Sequence, residues 1–224
     1  MNPFTPAEVE LEISEKFARL QKWMRENHYS GLCLTSARNF SWTTGGLADN
    51  QIAHSKEVGD ATIVITQYGH KFVVAPHSEV PRLMDQTLER LGYEPIETKW
   101  YAHPCDLSAQ LNIPEPLASD IQRQDCATGD VAGLRREPSE TEIRKYACAG
   151  PQCAEAVAEV ARQVRPGMSE RKIEAMIAHA LFQRGLCPTV LRIGSDERVY
   201  RFRHCLTSDK LVRKYAMVNV CAKK

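Results

Sequence analysis

The sequence predicts an α/β protein in two domains: a mixed sheet with flanking helices, followed by a smaller α+β unit. Three observations predict it. Strand and helix signals alternate from Pro6 to Asp120, the pattern of helices layered on a sheet. Two capped amphipathic helices then follow one another between Leu134 and Gly185. After Gly185 the pattern returns to short strands. A length of 224 residues suits one large or two small domains.

Taken in order, Pro6 to Asn27 reads as a helix, with Val9, Ile13, Phe17, Leu20 and Met24 on one side and Trp23 beside them. Gly31 ends it, and Leu32–Thr35 is a short buried strand. Leu47–Gly59 is polar and bounded by glycines, a loop. Ala61–Thr66 and Lys71–Ala75 are strands joined by the turn Gln67-Tyr68-Gly69-His70. Val80–Leu91 is a helix closed by Gly92. Pro95 makes Tyr93–Glu97 an edge strand, because proline cannot donate to a ladder. His103–Pro116 is rich in proline, and Leu117–Asp120 begins another strand. Gly129–Gly133 marks the boundary between domains 1–132 and 133–224.

The second domain opens on a helix start. Ser139 and Glu142 have the spacing of a capping box, and Pro138 just ahead disfavours helix in the preceding residue. Ile143, Tyr146, Ala147, Val157, Val160, Ala161 and Val164 form an apolar stripe, with Pro151 expected to kink or break it. Pro166-Gly167 closes this helix and Ser169 caps the next. Ile173, Met176, Ile177, Ala180 and Leu181 give that helix its buried face, and Gly185 suits a left-handed C-cap. Val190–Ile193 reads as a strand. Val199–His204 alternates strictly, which predicts a strand with Tyr200, Phe202 and His204 on one face. Thr207–Lys214 is a polar turn, and Ala216–Ala222 is a strand.

Composition narrows the function classes. A formal charge of +1 provides no field to gather nucleic acid or a membrane surface. Met1–Glu12 lacks the apolar run of a secretory leader, and no segment reaches membrane-span length, so a cytoplasmic protein is expected. The eight cysteines include no C-x-x-C pair, which argues against a structural zinc site, and reduced thiols are expected. Cys33 and Cys221 read as small buried hydrophobes. His54, His70, His77, His103 and His179 show no partner spacing. His28 ends the first helix, where positive charge is favourable.

Two motifs carry a resemblance. Arg136-Glu137-Pro138-Ser139-Glu140-Thr141-Glu142-Ile143 and Arg165-Pro166-Gly167-Met168-Ser169-Glu170 resemble the start of the catalytic domain in the pita-bread superfamily of creatinase, prolidase and aminopeptidase P. Thr35-Ser36-Ala37-Arg38-Asn39, continuing to Trp42-Thr43-Thr44-Gly45, resembles the family's N-terminal Thr-Ser-x-x-Asn-x-x-Tyr-x-Thr-Gly segment, with Trp42 in place of the tyrosine. The resemblance implies a creatinase/prolidase-type N-terminal domain followed by an incomplete pita-bread domain. A homodimer is also implied, since family members often cover the partner's site with the N-terminal domain.

In the peptidase members, the resemblance implies two divalent metals (Mn, Co or Zn) held by two aspartates, a histidine and two glutamates, which generate a hydroxide nucleophile. Ala216–Val220 is similar to the strand that carries the first aspartate and puts Asn219 at its position, where a neutral amide is a poor partner for a hard cation. The family's other ligands follow later in the sequence than Lys224. No cofactor is therefore expected in this chain, which is read as a truncated and inactive form. Creatinase works without metal, and Val218-Asn219-Val220-Cys221 resembles its asparagine and cysteine in this strand. His204, with Thr207-Ser208 after it, sits at nearly the distance of its proton-shuttle histidine and resembles it. In peptidases the equivalent histidine contacts substrate. The plainer alternatives are a strand histidine bonded to a backbone carbonyl and an amide bonded on its sheet. Arg201 and Arg203, with Arg192 and Arg198, are candidates for holding an anionic substrate end, or else they form a solvated face. Three functions stay open: Xaa-Pro peptidase-like hydrolysis of C–N bonds in small peptides, metal-free hydrolysis of guanidino compounds, and non-catalytic dimerisation or peptide binding.

Overall fold

The computed structural model describes residues 4–101 and 107–224, so His103 and Cys105 lie outside the described residues. The chain forms two compact units, Met1–Thr141 and Glu142–Lys224.

The first unit starts with helix α1 (Pro6–Glu26). Thr5 and Glu8 close a capping box: the Thr5 hydroxyl accepts the Glu8 N–H, and the Glu8 carboxylate accepts the Thr5 N–H at 2.8 Å. Its buried face holds Val9, Ile13, Leu20 and Met24. The same face buries an ion pair, Lys16 to Glu12 at 2.5 Å, and Lys16 also donates to the Trp42 carbonyl at 3.0 Å. Then come β1 (Gly31–Ser36), α2 (Ala37–Thr43), β2 (Val58–Thr66), β3 (Lys71–Pro76) and α3 (Val80–Leu83). The helix expected over Val80–Leu91 is α-helical for its first turn only and widens into a π-helical turn at Met84–Leu88, where the Thr87 hydroxyl donates to the Leu47 carbonyl. After it follow β4 (Glu94–Thr98), α4 (Leu107–Leu111), β5 (Leu117–Ser119), β6 (Ala127–Thr128) and a 3-10 turn at Ala132–Arg135.

The sheet is six-stranded and mixed, in the order β4-β3-β2-β1-β5-β6. Pairings β1·β2 and β2·β3 are antiparallel, and β3·β4, β1·β5 and β5·β6 are parallel. Strand alternation sorts the core into two layers. Leu32, Leu34, Ile63, Ile65, Val73 and Ala75 pack in the cluster that includes α1. Cys33, Val64 and Val74 pack on the other face with Leu107, Ile113 and Leu117. Pro95 lies in edge strand β4, as its missing donor requires.

The second unit contains α5 (Glu140–Ala161), α6 (Glu170–Phe182), β7 (Cys187–Ser195), α7 (Glu197–Arg201) and β8 (Ala216–Lys223). Ala156 and Val160 of α5 pack with Ile173, Ile177, Ala180 and Leu181 of α6 on one face of the antiparallel β7·β8 pair. The helix runs through Pro151 without a break. Its apolar stripe is buried over only part of its length. Ile143, Tyr146 and Ala147 are exposed, Tyr146 at 76%, because α6 spans 13 residues against 22 in α5. Cys221 is exposed rather than buried: alternation turns Ala216, Val218, Val220 and Ala222 to the core, and Cys221 to the opposite face.

The strand expected at Val199–His204 is absent. Glu197–Arg201 forms the short helix α7, and the chain then runs without regular structure. Asp196 at φ 51° turns the chain out of β7, and Arg198 is drawn to a buried carboxylate. Tyr200 is 82% exposed, so the alternation of aromatic and basic residues marks no sheet face.

Candidate functional site

The second unit is organised around Glu170. Gly167, at φ +89°, takes a conformation that glycine adopts without strain, and it lets Met168 pair with Val212, whose N–H donates to the Met168 carbonyl at 2.9 Å. Ser169 caps α6 by accepting the Lys172 N–H at 3.2 Å. Glu170 is 0% exposed. Its Oε1 accepts the Ser195 hydroxyl at 2.7 Å; its Oε2 accepts the Ser208 N–H at 2.9 Å, the Ser208 hydroxyl at 2.7 Å and the Arg198 guanidinium. Burial pushes this carboxyl up, but the donors from Ser195, Ser208 and Arg198 outweigh it and hold it below the ordinary carboxylate value. The first turn of a helix also favours a negative charge.

These bonds tie the segment from Ser195 to Ser208 onto the start of α6. Thr207 adds a second tie, donating to Glu174 at 2.7 Å and accepting the Ile193 N–H at 3.2 Å. Cys205 is buried against Gly194, where a Cβ would collide with its sulfur. Asp196 gathers the far end of the loop. It accepts the Arg213 and Lys214 N–H groups at 2.9 and 2.8 Å and that of Tyr215 at 3.3 Å. Burial opposes its charge, yet these three amides bring its carboxyl down to about 2. An open depression of about 260 Å³ lies beside it, lined by Ser195, Asp196, Glu197, Lys210, Leu211 and Arg213. Its cations are committed, since Lys210 and Arg213 both pair with Glu197, at 2.8 and 2.6 Å.

The segment held in this way carries His204, Arg201 and Arg203, all exposed. The Arg201 guanidinium lies over the Phe202 ring at 5.6 Å. Asn219 is half-buried on β8 and stands opposite Arg192 of β7. The four sequence-adjacent arginines are thus separated: Arg198 is bound to Glu170, Arg192 faces Asn219, and Arg201 and Arg203 point to solvent. No side-chain hydrogen bond joins His204, Arg201, Arg203 or Asn219 to one another among the described residues. Nor do three His, Cys, Asp or Glu side chains converge as a metal ion requires among the described residues. An amide opposite a guanidinium does not fit a dinuclear metal centre.

A second carboxylate node stands in the first unit. Asp120 accepts the Thr35 and Ser36 N–H groups at 2.8 and 3.1 Å, the Ser36 hydroxyl at 2.5 Å and the Asn39 amide at 2.8 Å. The Thr-Ser-x-x-Asn segment is therefore the donor set of one carboxylate, which fixes the β1–α2 corner. Sequence reading missed the roles of Asp120, Glu170 and Asp196. For Glu170 the signal was present: it ends one recognised motif, and Ser208 belongs to another.

This fold is that of the creatinase, prolidase and aminopeptidase P class, with a mixed-sheet unit followed by the helical pair and strand pair in the same chain. In structure, the chain is similar to dipeptidase PepE from Mycobacterium ulcerans (TM-score 0.69, 19% identity, 94% of this chain and 60% of that one). It is similar also to the Xaa-Pro dipeptidase from Bacillus anthracis (TM-score 0.66, 16% identity, 94% and 60%). The prolidase from Pyrococcus furiosus gives a TM-score of 0.65 at 17% identity, over 89% of this chain and 59% of that one. The chain thus spans about 60% of the length of these structures. No protein-family model matches the sequence, and no curated protein matches it.

Proposed function

We propose that the chain belongs to the Xaa-Pro peptidase/creatinase superfamily, in which an N-terminal domain over 1–132 precedes the opening of a catalytic domain over 133–224. The fold shared with an Xaa-Pro dipeptidase over 94% of this chain carries the reading. The chemistry proposed for the whole protein is hydrolysis of a C–N bond in a small peptide or guanidino compound. His204 serves as proton shuttle or substrate contact, because its loop is fixed at both ends while its imidazole stays open to solvent. Arg201 and Arg203 meet an anionic substrate end. A divalent metal (Mn, Co or Zn) takes part only where further ligands are supplied. The chain associates as a homodimer in the cytoplasm.

A second reading is favoured by Asn219 facing Arg192: a non-catalytic relative that binds peptide or dimerises. One experiment separates the readings. The purified chain is tested for hydrolysis of Xaa-Pro dipeptides and of creatine, with and without added Mn²⁺, Co²⁺ or Zn²⁺, and for dipeptide binding by calorimetry. Binding without turnover supports the second reading. Metal-dependent cleavage of Xaa-Pro peptides overturns the donor-set argument, and His204-dependent, metal-independent cleavage of creatine identifies the creatinase-like chemistry.

A further inference from the structure

We infer that Cys126 and Cys33 form a thiol pair oxidised by hydroperoxides, in which Cys126 reacts and Cys33 resolves the product into a disulfide. The two sulfurs come from distant parts of the chain, 93 residues apart, and meet at 3.9 Å. Cys33 is fully buried in β1, inside the sheet. Cys126 is half-buried in the bend just ahead of edge strand β6, so a small oxidant reaches it first. The apolar side chains of Leu107, Ile113 and Leu117 share their cluster. Arg123 and Asp125 complete the charged surroundings. They pair at 2.7 Å, and Asp125 also accepts the Leu107 N–H at 3.2 Å, which anchors the bend.

The contact divides the labour between the sulfurs. The hydrogen bond from Cys33, helped by the Arg123 guanidinium against burial and Asp125, moves the Cys126 thiol below its ordinary value. The same bond, together with burial, pushes Cys33 upward. Thiolate character therefore resides on Cys126, the sulfur that faces out.

In the first step the Cys126 thiolate attacks a peroxide oxygen. The S–O bond forms, the O–O bond breaks, and hydroxide leaves to take up the proton that Cys126 released. Sulfur loses two electrons and the peroxide gains them. In the second step the Cys33 sulfur attacks Cys126 Sγ, the S–S bond forms, the S–O bond breaks, and the departing hydroxide takes the Cys33 proton as water. Two thiols and one hydrogen peroxide give one disulfide and two waters. Closure brings the sulfurs from 3.9 Å to about 2.05 Å. The movement falls on the bend ahead of β6, which has a short edge strand to displace, and not on β1.

The test treats the intact chain with hydrogen peroxide, with and without dimedone, and maps peptides without reduction. A peptide pair linked through Cys33 and Cys126 is expected. Cys126 is expected to oxidise several-fold faster than Cys221, which is exposed but has no such thiol contact among the described residues. In C33S, dimedone labelling of Cys126 rises because no resolving thiol remains, and in C126S Cys33 stays reduced. Circular dichroism confirms that each variant is folded, and the wild-type map decides the matter if one is not. Oxidation of Cys126 no faster than Cys221, or a wild-type map without the Cys33–Cys126 link, overturns the proposal.

Discussion

Removing the Glu170 carboxylate leaves the Arg198 guanidinium and the Ser208 N–H without their acceptor at a buried position. Breaking such a buried pair costs about 3–5 kcal/mol, so E170A is expected to lower the urea-unfolding stability of this unit by that amount, with S208A losing less. The sign of the pH dependence follows from the lowered carboxyls of Glu170 and Asp196. Their stabilisation is complete above the ordinary carboxylate range, near pH 4 (about 3.9 for Asp and 4.3 for Glu), and is lost as pH falls through the lowered values, for Asp196 towards about 2. Acid titration followed by circular dichroism should show this loss, and E170Q should flatten part of it. In the first unit, D120A strands four donors on the β1–α2 corner and should cost about 2–3 kcal/mol by denaturant titration, as for bonds to a charged acceptor. The buried Glu12–Lys16 pair makes a contrasting case. E12A should destabilise by about 3–5 kcal/mol, whereas the double variant E12L/K16M should come close to wild type, since apolar residues of similar volume replace both charges.

Among the elements, the loop from Ser195 to Ser208 shows most directly how packing overrides pattern. Its aromatic and basic residues alternate with the period of a strand, but among the described residues no strand pairs with them, while Glu170 and Glu174 of α6 offer charged acceptors to Arg198, Thr207 and Ser208. T207V removes one anchor and should raise amide exchange around His204 without unfolding the unit. If exchange there is unchanged, Thr207 does not hold the loop. Gly167→Ala, at φ +89°, should cost about 1 kcal/mol or more, because an L side chain strains that turn. α1 and α6 follow their expected limits closely, because each carries its own cap and its own apolar period. α5 follows its limits but not its expected burial, since the extent of α6, rather than the stripe on α5, decides how much of it is covered.

For the whole molecule, added Mn²⁺, Co²⁺ or Zn²⁺ should leave the thermal midpoint unchanged, because a ligand stabilises only the state that binds it and among the described residues no donor set converges. A metal-induced rise would show a site that these residues do not form. Size-exclusion chromatography with light scattering checks the proposed homodimer; a purely monomeric chain would count against it.

Much of the fold was legible in advance. The Ser169 cap, apolar periods in α1 and α6, glycines at the turns and Pro95 on an edge strand are local signals, and local signals survive the search for tertiary partners. The candidate site was legible only as a set of residue types: His204, Arg201, Arg203 and Asn219 could be singled out as candidates, but their positions could not be read. By itself, the sequence determined the long helices α1, α5 and α6, the strands β1 to β5 of the mixed sheet and the turn at Gly167. Only the tertiary structure decided that Asp120, Glu170 and Asp196 are the centres to which distant amides and hydroxyls converge, that Arg198 is buried while Arg201 is not, and that Asn219 faces Arg192. The physical reason is that a buried carboxylate takes its donors from wherever the chain folds past it. Such partners lie tens of residues apart in sequence and leave no periodic trace.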